Sequence, residues 1–480
     1  MARSAKKRRN KKKDDEAPVS GKVAIDRRDL YHDIAARRAG GWPLLLPRHL
    51  KGDDRRLHVR RTIVEDHAER IQQRPEEADA KFDKLARTPF DFFRGTALLF
   101  YRDMAGDDAD APVVLTLGDV HPENFGVMPS EGGGPIFGVN DFDEAYFAPF
   151  TWDIKRGCVG FCVAAKIHGI TKKKHHKRIV RDFVGGYLDA IDSYASSDLE
   201  RDRQLRLDNS AGVIKKLLKG AQTRRTTFLD EHLDDKRAFF RPTDEIVPRS
   251  GRRDEFQKVV DDYAKDNDVA APHRLKDGEL VVKDVAEKKG SGTASLGLPR
   301  YWVLLQGRAD DGGDDVILEM KRARRSALEG LAPGGERGDG EASARIVTAH
   351  AMHLVGGDPF YGEATIDDVP FLVRERSPLK DDIDLDDLSK KKWRQYAREC
   401  GRALALAHAL ADVDADLGDR DTDRAVSRYV ASHHLFIRDM WKFTKEAYGR
   451  LMRDFELFES EHRHGAFAHP AARNSGQARA

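Results

Sequence analysis

The residues whose types and spacing are most suited to chemistry lie between positions 117 and 156, in LGDVHPENFGVMPSEGGGPIFGVNDFDEAYFAPFTWDIKR. Asp119 and Asn124 form a D-x-x-x-x-N pattern after a short apolar run, and Asp141 ends a second apolar run in the triplet DFD. Phosphoryl transfer needs a carboxylate that orients the attacking hydroxyl, plus an amide oxygen and a second carboxylate that hold Mg²⁺. We therefore expect Asp119 to orient the acceptor and Asn124 and Asp141 to bind the metal.

The separation of Asn124 and Asp141 indicates how such a metal site is built. The two residues are seventeen positions apart, and a strand, a loop and a second strand would bring them together. His121 and Asp143 lie beside them as supporting residues. The D-x-x-x-x-N pattern alone is also typical of a solvated turn, because Asp and Asn are ordinary turn residues. The apolar runs on either side and the acidic DFDE favour a functional site.

A binuclear metallophosphatase is a second interpretation of the same segment. Gly118, Asp119 and His121 match the start of a signature in which Asp and His bind metal from one strand end. That signature requires further loops that carry His and Asn. The downstream histidines lie in helical or basic segments instead, so we rank a phosphatase below a phosphotransferase.

A second group of candidate residues lies in a predicted small sheet. Gly290, Gly292 and Gly297 precede one strand, and Lys321 ends the next, in DVILEMKRA. Backbone N–H groups of small residues can approach phosphate oxygens, which a lysine on the neighbouring strand neutralises. A hairpin turn without a ligand is the alternative for the glycines. Glu341, beside the helical run ARIVTAHAMHLV, is the candidate partner of Lys321, and an exposed glutamate is its alternative.

Helices and strands must position these candidates. Helical spacing covers positions 55–103 and 153–193, and the apolar runs between them predict two strands. From position 278 the period changes to two, in ELVVKDVA, YWVLLQG and DVILEMK, which predicts a small antiparallel sheet. The predicted divisions are a disordered basic tail (1–17), a leading helical segment with the catalytic-loop part of a large lobe (18–195), a helical insertion or linker (196–273), a small β-rich nucleotide-clamping lobe (274–380), helices completing the large lobe (381–463) and a disordered tail (464–480).

The order of these parts differs from that of protein kinases, in which the Gly-rich loop and its lysine precede the catalytic loop. Here VPFLVRERSP is a candidate strand between lobes, and the helix ending in RALALAHAL is of the type that packs under a catalytic loop. Joining that helix to LGDVHPEN would restore the usual order. We therefore expect an α+β, bilobal, protein-kinase-like fold that is circularly permuted and carries helical insertions.

Short motifs over nearly the whole chain carry a family resemblance. They are FFRG at 92–95, GDVHPENFG at 118–126, NDFDE at 140–144, WDIKR at 152–156, GTASLG at 292–297, LEMKRA at 318–323, DPFYG at 358–362 and GRALALAHA at 401–409. In these motifs the chain resembles the bacterial domain of unknown function 2252 (DUF2252) family, which is associated with the kinase-like superfamily.

The loop around Asp119 is also similar to that of aminoglycoside and choline kinases. That resemblance implies that Asp119 is the catalytic residue and that Asn124 and Asp141 are metal ligands. It further implies that Asp153 braces the catalytic loop from the following helix. The chain departs from those kinases at Leu117, where they have a histidine.

Composition and charge set the remaining expectations. The 480 residues carry a formal net charge of +2, and the basic block is confined to the start, so nucleic-acid contact is expected only through that tail. No apolar stretch approaches the roughly 20 residues of a membrane helix. The N-terminus lacks the apolar core of a secretory signal. We expect a cytoplasmic protein without a membrane partner.

The functional expectation is an ATP- and Mg²⁺-dependent phosphotransferase. Its partners would be a nucleotide and an unknown hydroxyl-bearing small molecule or protein, and nucleotidyl transfer is a close variant. A catalytically idle kinase-like module that binds nucleotide or a partner protein is the alternative from another class. The intact set of candidate residues favours the enzyme.

Overall fold

A computed structural model of the chain describes residues 26–130, 134–197, 204–221, 224–267, 279–290, 297–335, 342–354, 356–379, 381–411 and 421–467. The predicted tail at 1–17 and most of that at 464–480 lie outside these residues. The helices are α1 (Arg28–Ala39), α2 (Gly52–Asp66), α3 (Ala68–Gln73), α4 (Pro75–Leu85), α5 (Pro89–Gly95), α6 (Ala97–Arg102), α7 (Thr151–Ile167), α8 (Lys173–Ala195), α9 (Gly212–Gly220), α10 (Arg225–His232), α11 (Arg253–Asp266), α12 (Ala342–His353), α13 (Lys390–Leu410), α14 (Thr422–Val430) and α15 (His433–Arg463).

Three antiparallel sheets accompany these helices in the described residues. The strands are β1 (Val113–Thr116), β2 (Phe125–Met128), β3 (Ile136–Val139), β4 (Tyr146–Pro149), β5 (Ile246–Pro248), β6 (Val282–Lys288), β7 (Arg300–Leu305), β8 (Val316–Arg322), β9 (Gly362–Ile366), β10 (Val369–Glu375) and β11 (Asp381–Asp382). β1 pairs with β4, β11-β2-β3 form a second sheet, and β5-β6-β7-β8-β10-β9 form the largest. The predicted α+β class and antiparallel sheet are confirmed.

The six-stranded sheet carries apolar clusters on both faces. One strand contributes to both, because its alternate side chains point to opposite sides. On β7, Val303 packs with α11, whereas Trp302 and Leu304 pack with α10 on the other face. β5 and α11 belong to the region 196–273, which the sequence predicted as a helical insertion or linker. That region therefore adds an edge strand and a covering helix to the sheet, while α9 packs against α13 and β3.

The large core lies among α7, α8, α13 and α15. Thr151 to Ala165 of α7 are buried without interruption, so this helix runs through the interior. α13 crosses α8 closely where Gly401 meets the backbone of Phe183: a Cβ at Gly401 would lie 2.0 Å from the Phe183 carbonyl oxygen. None of the described helices is long and apolar enough to cross a bilayer.

The strands around the candidate residues differ from the predicted pair. The run VVLTLGD forms β1, which pairs with β4 rather than with the strand formed by IFGVNDFD. The hairpin partner of β3 is β2, a four-residue strand with no alternation of apolar and polar residues, which the sequence analysis did not predict. Phe125 pairs with Val139, so Asn124 and Asn140 lie side by side at the open end of this hairpin.

Candidate active site

The segment between β1 and β2 is held by a buried carboxylate of α7. Asp153 accepts hydrogen bonds from the backbone N–H groups of Leu117, at 2.7 Å, and Gly118, at 2.9 Å. His408 of α13 contacts the same carboxylate through Nε2 at 3.1 Å. Because Asp153 and His408 are both fully buried, this contact ties α13 to the segment that leads to Asp119. A histidine distant in sequence therefore lies near Leu117, because both Leu117 and His408 contact Asp153.

The backbone turns sharply at Gly118. Its φ of +74° is a conformation that side chains other than glycine adopt at a cost. A Cβ at this position would lie 2.1 Å from the Glu144 carbonyl oxygen, and the Tyr101 hydroxyl donates to the Gly118 carbonyl. The turn therefore packs directly against the DFDE segment, which is possible only with glycine.

Asp119 forms a buried ion pair with Arg156 of α7. Nε of Arg156 donates to Oδ1 of Asp119 at 2.8 Å, and the guanidinium lies 4.1 Å from the ring centre of Phe93. Nε2 of His121 lies 3.6 Å from the other carboxylate oxygen. Burial is the largest single influence on the pKa of Asp119 and raises it, but the charges and hydrogen bonds of Arg156 and His121 together hold that pKa well below its ordinary value. Asp119 is therefore an anion that accepts hydrogen bonds.

Asn124 is fixed by its own loop and by the hairpin. Its side-chain Nδ2 donates to the Asp119 backbone carbonyl oxygen at 2.7 Å, and its backbone carbonyl oxygen accepts from the Asn140 N–H at 3.2 Å. Asp141 follows Asn140 directly, and its Oδ1 accepts from the Asp143 N–H at 3.2 Å. The hairpin thus brings Asn124 to the strand end that carries Asp141, although the two are seventeen positions apart.

The donor atoms at this point suit a hard divalent cation. The Asn124 amide nitrogen is committed to the Asp119 carbonyl, so the amide oxygen is the atom left for a ligand. Asp141 adds a partly exposed carboxylate, and carboxylate and amide oxygens are the ligands that Mg²⁺ prefers. In the described part of the chain no three His, Cys, Asp or Glu side chains form a cluster able to hold a metal ion.

Lys321 brings the six-stranded sheet to this site. It lies at the end of β8 and its ammonium forms an ion pair with Asp143, two positions after Asp141. Burial is the largest single influence on the pKa of Asp143 and raises it, but Lys321, together with the charges of Arg374 and Arg300, lowers that pKa below its ordinary value. Arg345 of α12 donates to the Asp143 carbonyl oxygen at 2.8 Å, so a helix and a strand both contact the DFDE segment.

The remaining residues predicted for the nucleotide are placed only in part. Gly292 and Glu341 lie outside the described residues. Gly290 lies two positions after β6 and has a φ of +74°, and Gly297 has a φ of +82°. A Cβ at Gly297 would lie 2.6 Å from Cβ of Glu77, so this end of the Gly-rich segment contacts the α3–α4 region.

An aromatic cleft lies beside the DFDE segment, between α12 and β10 on one side and the β2–β3 hairpin on the other. Phe142, His350 and Arg374 are among its lining residues. The His350 ring stacks on Tyr361 at 3.6 Å between centres. Burial, with the charge of Glu375 next, raises the pKa of Asp358 at the same cleft to about 7. The DPFYG motif, for which the sequence analysis predicted no chemical role, therefore contributes Asp358 and Tyr361 to this cleft.

Several residues that contact the candidates had no assigned function in the sequence analysis. Arg156 lies in the motif WDIKR and His408 in GRALALAHA. Membership in these motifs is the sequence feature that could have pointed to a function for either residue. Glu144 is buried in DFDE, and its Oε2 accepts from the Ala327 N–H at 2.5 Å. Burial raises the pKa of Glu144 to about 7, although the nearby charge of Arg324 lowers it.

All of these residues lie in a region that matches a known protein family. Positions 73–461 match the sequence model of a family described as "Uncharacterized protein conserved in bacteria (DUF2252)". The chain belongs to the DUF2252 family. The DUF2252 region begins in α3 and ends in α15, so it includes the segment around Asp119, the β2–β3 hairpin and the six-stranded sheet. No curated protein and no solved structure matches the chain.

Proposed function

We propose that this DUF2252 protein is an ATP- and Mg²⁺-dependent phosphotransferase that acts on a hydroxyl-bearing acceptor. The contact between Lys321 and Asp143 carries the proposal, because it brings a lysine at a strand end against the acidic segment that contains Asp141. Phosphoryl transfer uses a lysine that contacts phosphates, an amide and a carboxylate that bind the metal, and a carboxylate that orients the acceptor. All four lie on segments that contact one another.

Each residue has a defined task in this proposal. When bound, Mg·ATP supplies the γ-phosphoryl group and the cation that neutralises its charge. Asn124 and Asp141 hold the metal, and Lys321 leaves Asp143 to contact phosphate oxygens. Asp119 accepts a hydrogen bond from the acceptor hydroxyl and orients its oxygen toward phosphorus. The new bond joins that oxygen to the γ-phosphorus, the bond to the β–γ bridging oxygen breaks so that ADP leaves, and the hydroxyl proton passes to solvent.

The proposed architecture is a bilobal kinase-like fold with a circular permutation. Two observations support it. After β8, which carries Lys321, the chain continues through α12, β9 and β10 to α13. α13 contacts β1, and its His408 reaches Asp153, which holds the segment before Asp119. In the proposed unpermuted order, α13 would precede β1, as a helix that packs under the catalytic loop.

A nucleotide-binding module without transfer activity is the second candidate. The ion pair between Asp119 and Arg156 favours it, because a carboxylate already neutralised by a buried guanidinium is a weak proton acceptor. In the transferase, Asp119 therefore orients the acceptor and does not remove its proton in the ground state. The idle module and the transferase share ATP binding and differ in turnover.

The test is ATP binding and turnover by the full chain, with and without Mg²⁺, against pooled hydroxyl-bearing acceptors, with Asp119→Asn as the variant. The transferase predicts Mg²⁺-dependent ATP consumption that falls by about a hundredfold or more in Asp119→Asn, while ATP affinity is retained. Mg²⁺-dependent binding without consumption by the unmodified protein would establish the idle module. Absence of ATP binding would exclude both.

A further inference from the structure

The aromatic cleft beside the DFDE segment has no task in the proposed function. It encloses about 490 Å³ of space, part of which is open to solvent. Its walls come from the β2–β3 hairpin, α12, the DPFYG motif and the end of β10. Asn140 and Phe142, which flank the candidate metal ligand Asp141, both line it. Clefts with apolar walls and a few polar groups are the usual sites of small molecules, so this cleft is a candidate ligand site.

Three aromatic rings form a corner of the cleft. The rings of His350 and Tyr361 are parallel, with an angle of 2° between their planes and 3.6 Å between their centres. The Phe142 ring is perpendicular to both, at 90° to His350 and at 88° to Tyr361. Aromatic faces and edges attract other flat rings, because ring quadrupoles favour offset-stacked and edge-to-face contacts. The shape of this corner therefore favours a planar ligand.

His350 provides an independent observation that points to a ligand. It lines the cleft with only 7% exposure, and no hydrogen bond within the described chain reaches either of its ring nitrogens. Burial, and then the charge of Arg374, lowers the pKa of His350 to about 3, so the ring is neutral and has one N–H donor and one acceptor nitrogen. Buried polar atoms are almost always paired with protein or with a bound molecule. A ligand that offers both an acceptor and a donor would satisfy this ring.

The charged side chains Arg374, Glu375 and Asp358 of the cleft already have partners within the protein. Nε of Arg374 donates to Glu319 at 2.8 Å, and Glu375 pairs with Arg225 at 2.6 Å. The carboxyl oxygens of Asp358 accept backbone hydrogen bonds at 2.9 Å and 2.6 Å. A charged ligand would have to compete with one of these contacts, whereas a neutral ligand leaves them in place. The cleft therefore favours a ligand that is uncharged in the part that the cleft encloses.

We infer that the aromatic cleft binds the nucleobase of a nucleoside or nucleotide. A nucleobase is planar and uncharged, presents donors and acceptors along its edges, and stacks on aromatic side chains. The inference goes beyond the proposed function, because such a base belongs either to the ATP of the transferase or to a separate nucleoside. In the first case it rests on the proposed function, since the phosphates of the same molecule then contact Lys321 and the metal.

The test is calorimetric titration of the full chain with adenosine, guanosine, cytidine and uridine, with Mg·ATP, and with the Mg²⁺ complex of inorganic triphosphate. His350→Phe is the test variant, because it removes both ring nitrogens and keeps a flat ring. His67→Phe is the control, because His67 is also buried beside a phenylalanine, Phe82, and is not among the residues that line the cleft. We expect at least one ribonucleoside to bind, about tenfold or more weakly to His350→Phe than to the unmodified chain. His67→Phe should bind it within about threefold of the unmodified chain.

Gly138→Val is a second variant, which fills the cleft without changing a polar group. Gly138 lies on β3, and a Cβ there would lie 3.5 Å from Met128 and 3.6 Å from Leu354, which both line the cleft. The further methyl groups of valine would take up space that the base needs, so ribonucleoside binding should again fall by about tenfold or more. Circular dichroism and the melting temperature show that each variant is folded before its binding is compared.

The same titrations separate the two sources of the base. A base that belongs to ATP predicts that the ribonucleoside competes with Mg·ATP, and that His350→Phe weakens the binding of Mg·ATP but not that of the triphosphate. A separate nucleoside predicts that the ribonucleoside and Mg·ATP bind together, with Mg·ATP affinity unchanged in His350→Phe.

The inference and the proposed function fail in different ways. Ribonucleoside binding that depends on His350, in a protein that binds no Mg·ATP, would contradict the proposed function and leave the nucleobase site in place. Absence of binding of every ribonucleoside would overturn the inference, whether or not the protein consumes ATP. Equal ribonucleoside binding by the unmodified chain and by folded His350→Phe and Gly138→Val would also overturn it.

Discussion

Lys321 and Asp143 are 178 positions apart in the chain, and their side chains form an ion pair. Lys321 belongs to the six-stranded sheet, and Asp143 belongs to the acidic segment after β3. Both side chains are largely buried, with 10% and 18% exposure, so the pair is shielded from water on most sides. This contact connects the two halves of the proposed site directly.

Lys321→Met should weaken the binding of Mg·ATP by about tenfold to a hundredfold, because a charge-assisted contact to phosphate is lost. The variant should also lose about 2 kcal/mol of unfolding free energy, because Asp143 keeps its charge without a partner. Calorimetry and urea unfolding measure the two effects.

The matched control is Lys283→Met, which removes another lysine of the same sheet from its pair with Asp315 at 2.5 Å. It should lose comparable stability and keep full ATP affinity. Equal ATP affinity in both variants would remove Lys321 from the nucleotide site.

Gly118→Ala should destabilise the protein by about 3 kcal/mol or more, because its Cβ would overlap the Glu144 carbonyl in addition to the cost of positive φ. Gly169 has a similar φ of +79° but open space around it, so Gly169→Ala should cost only about 1 kcal/mol. Thermal and urea unfolding of both variants compare the two costs directly. Equal losses would mean that the turn at Gly118 does not pack against Glu144.

Arg156→Met should lower the unfolding free energy by about 3–5 kcal/mol at pH 7, because it leaves Asp119 as a buried anion without its partner. The native pKa of Asp119 is lowered, so its stabilising effect is present above its unfolded value of 3.8 and is lost as the pH falls through the native pKa. The difference between variant and unmodified protein should therefore shrink below about pH 4. Urea unfolding at pH 7 and in the acid range measures it, and a difference independent of pH would contradict the pairing.

Glu144→Gln should change how stability depends on pH. The native pKa of Glu144 is about 7 and its unfolded value is 4.5, so the native state binds the extra proton between these values. Stability of the unmodified protein therefore falls as the pH rises from 4.5 to 7, by up to about 3 kcal/mol from this group. Glu144→Gln cannot release that proton and should lack this part of the slope. Parallel pH profiles of the two proteins would show that Glu144 is ionised throughout.

The sequence predicted those parts of the molecule that local patterns determine. Alternation of apolar residues predicted the strands that became β6, β7 and β8, and the six-stranded antiparallel sheet confirms it. The ends of the strands before Asp119 and Asp141 were also predicted, because turn residues follow the apolar runs at both places. The four-residue strand β2 was missed, because FGVM is too short for a period to be recognised.

The contacts that were missed join residues that are distant along the chain. His408 reaches Asp153 across 255 positions, and Arg156 reaches Asp119 across 37. The periodicity of apolar residues predicts which face of a helix or strand is buried, but it does not predict which charged side chain from another element contacts that face. The raised pKa of Glu144 likewise depends on burial by segments that only the fold brings together.

The measurement that tests the central claim most directly is calorimetric titration with ATP, in excess Mg²⁺ and in EDTA, of the unmodified chain and of Asp141→Ala. Asp244→Ala is the control, because it removes an exposed carboxylate from the segment before β5, in a different sheet from the hairpin. The account predicts ATP binding that depends on Mg²⁺ in the unmodified chain and in Asp244→Ala. In Asp141→Ala that dependence should be lost while the circular dichroism spectrum and melting temperature are retained. ATP binding by Asp141→Ala that equals that of the unmodified chain, or no Mg²⁺-dependent binding by the unmodified chain, would contradict it.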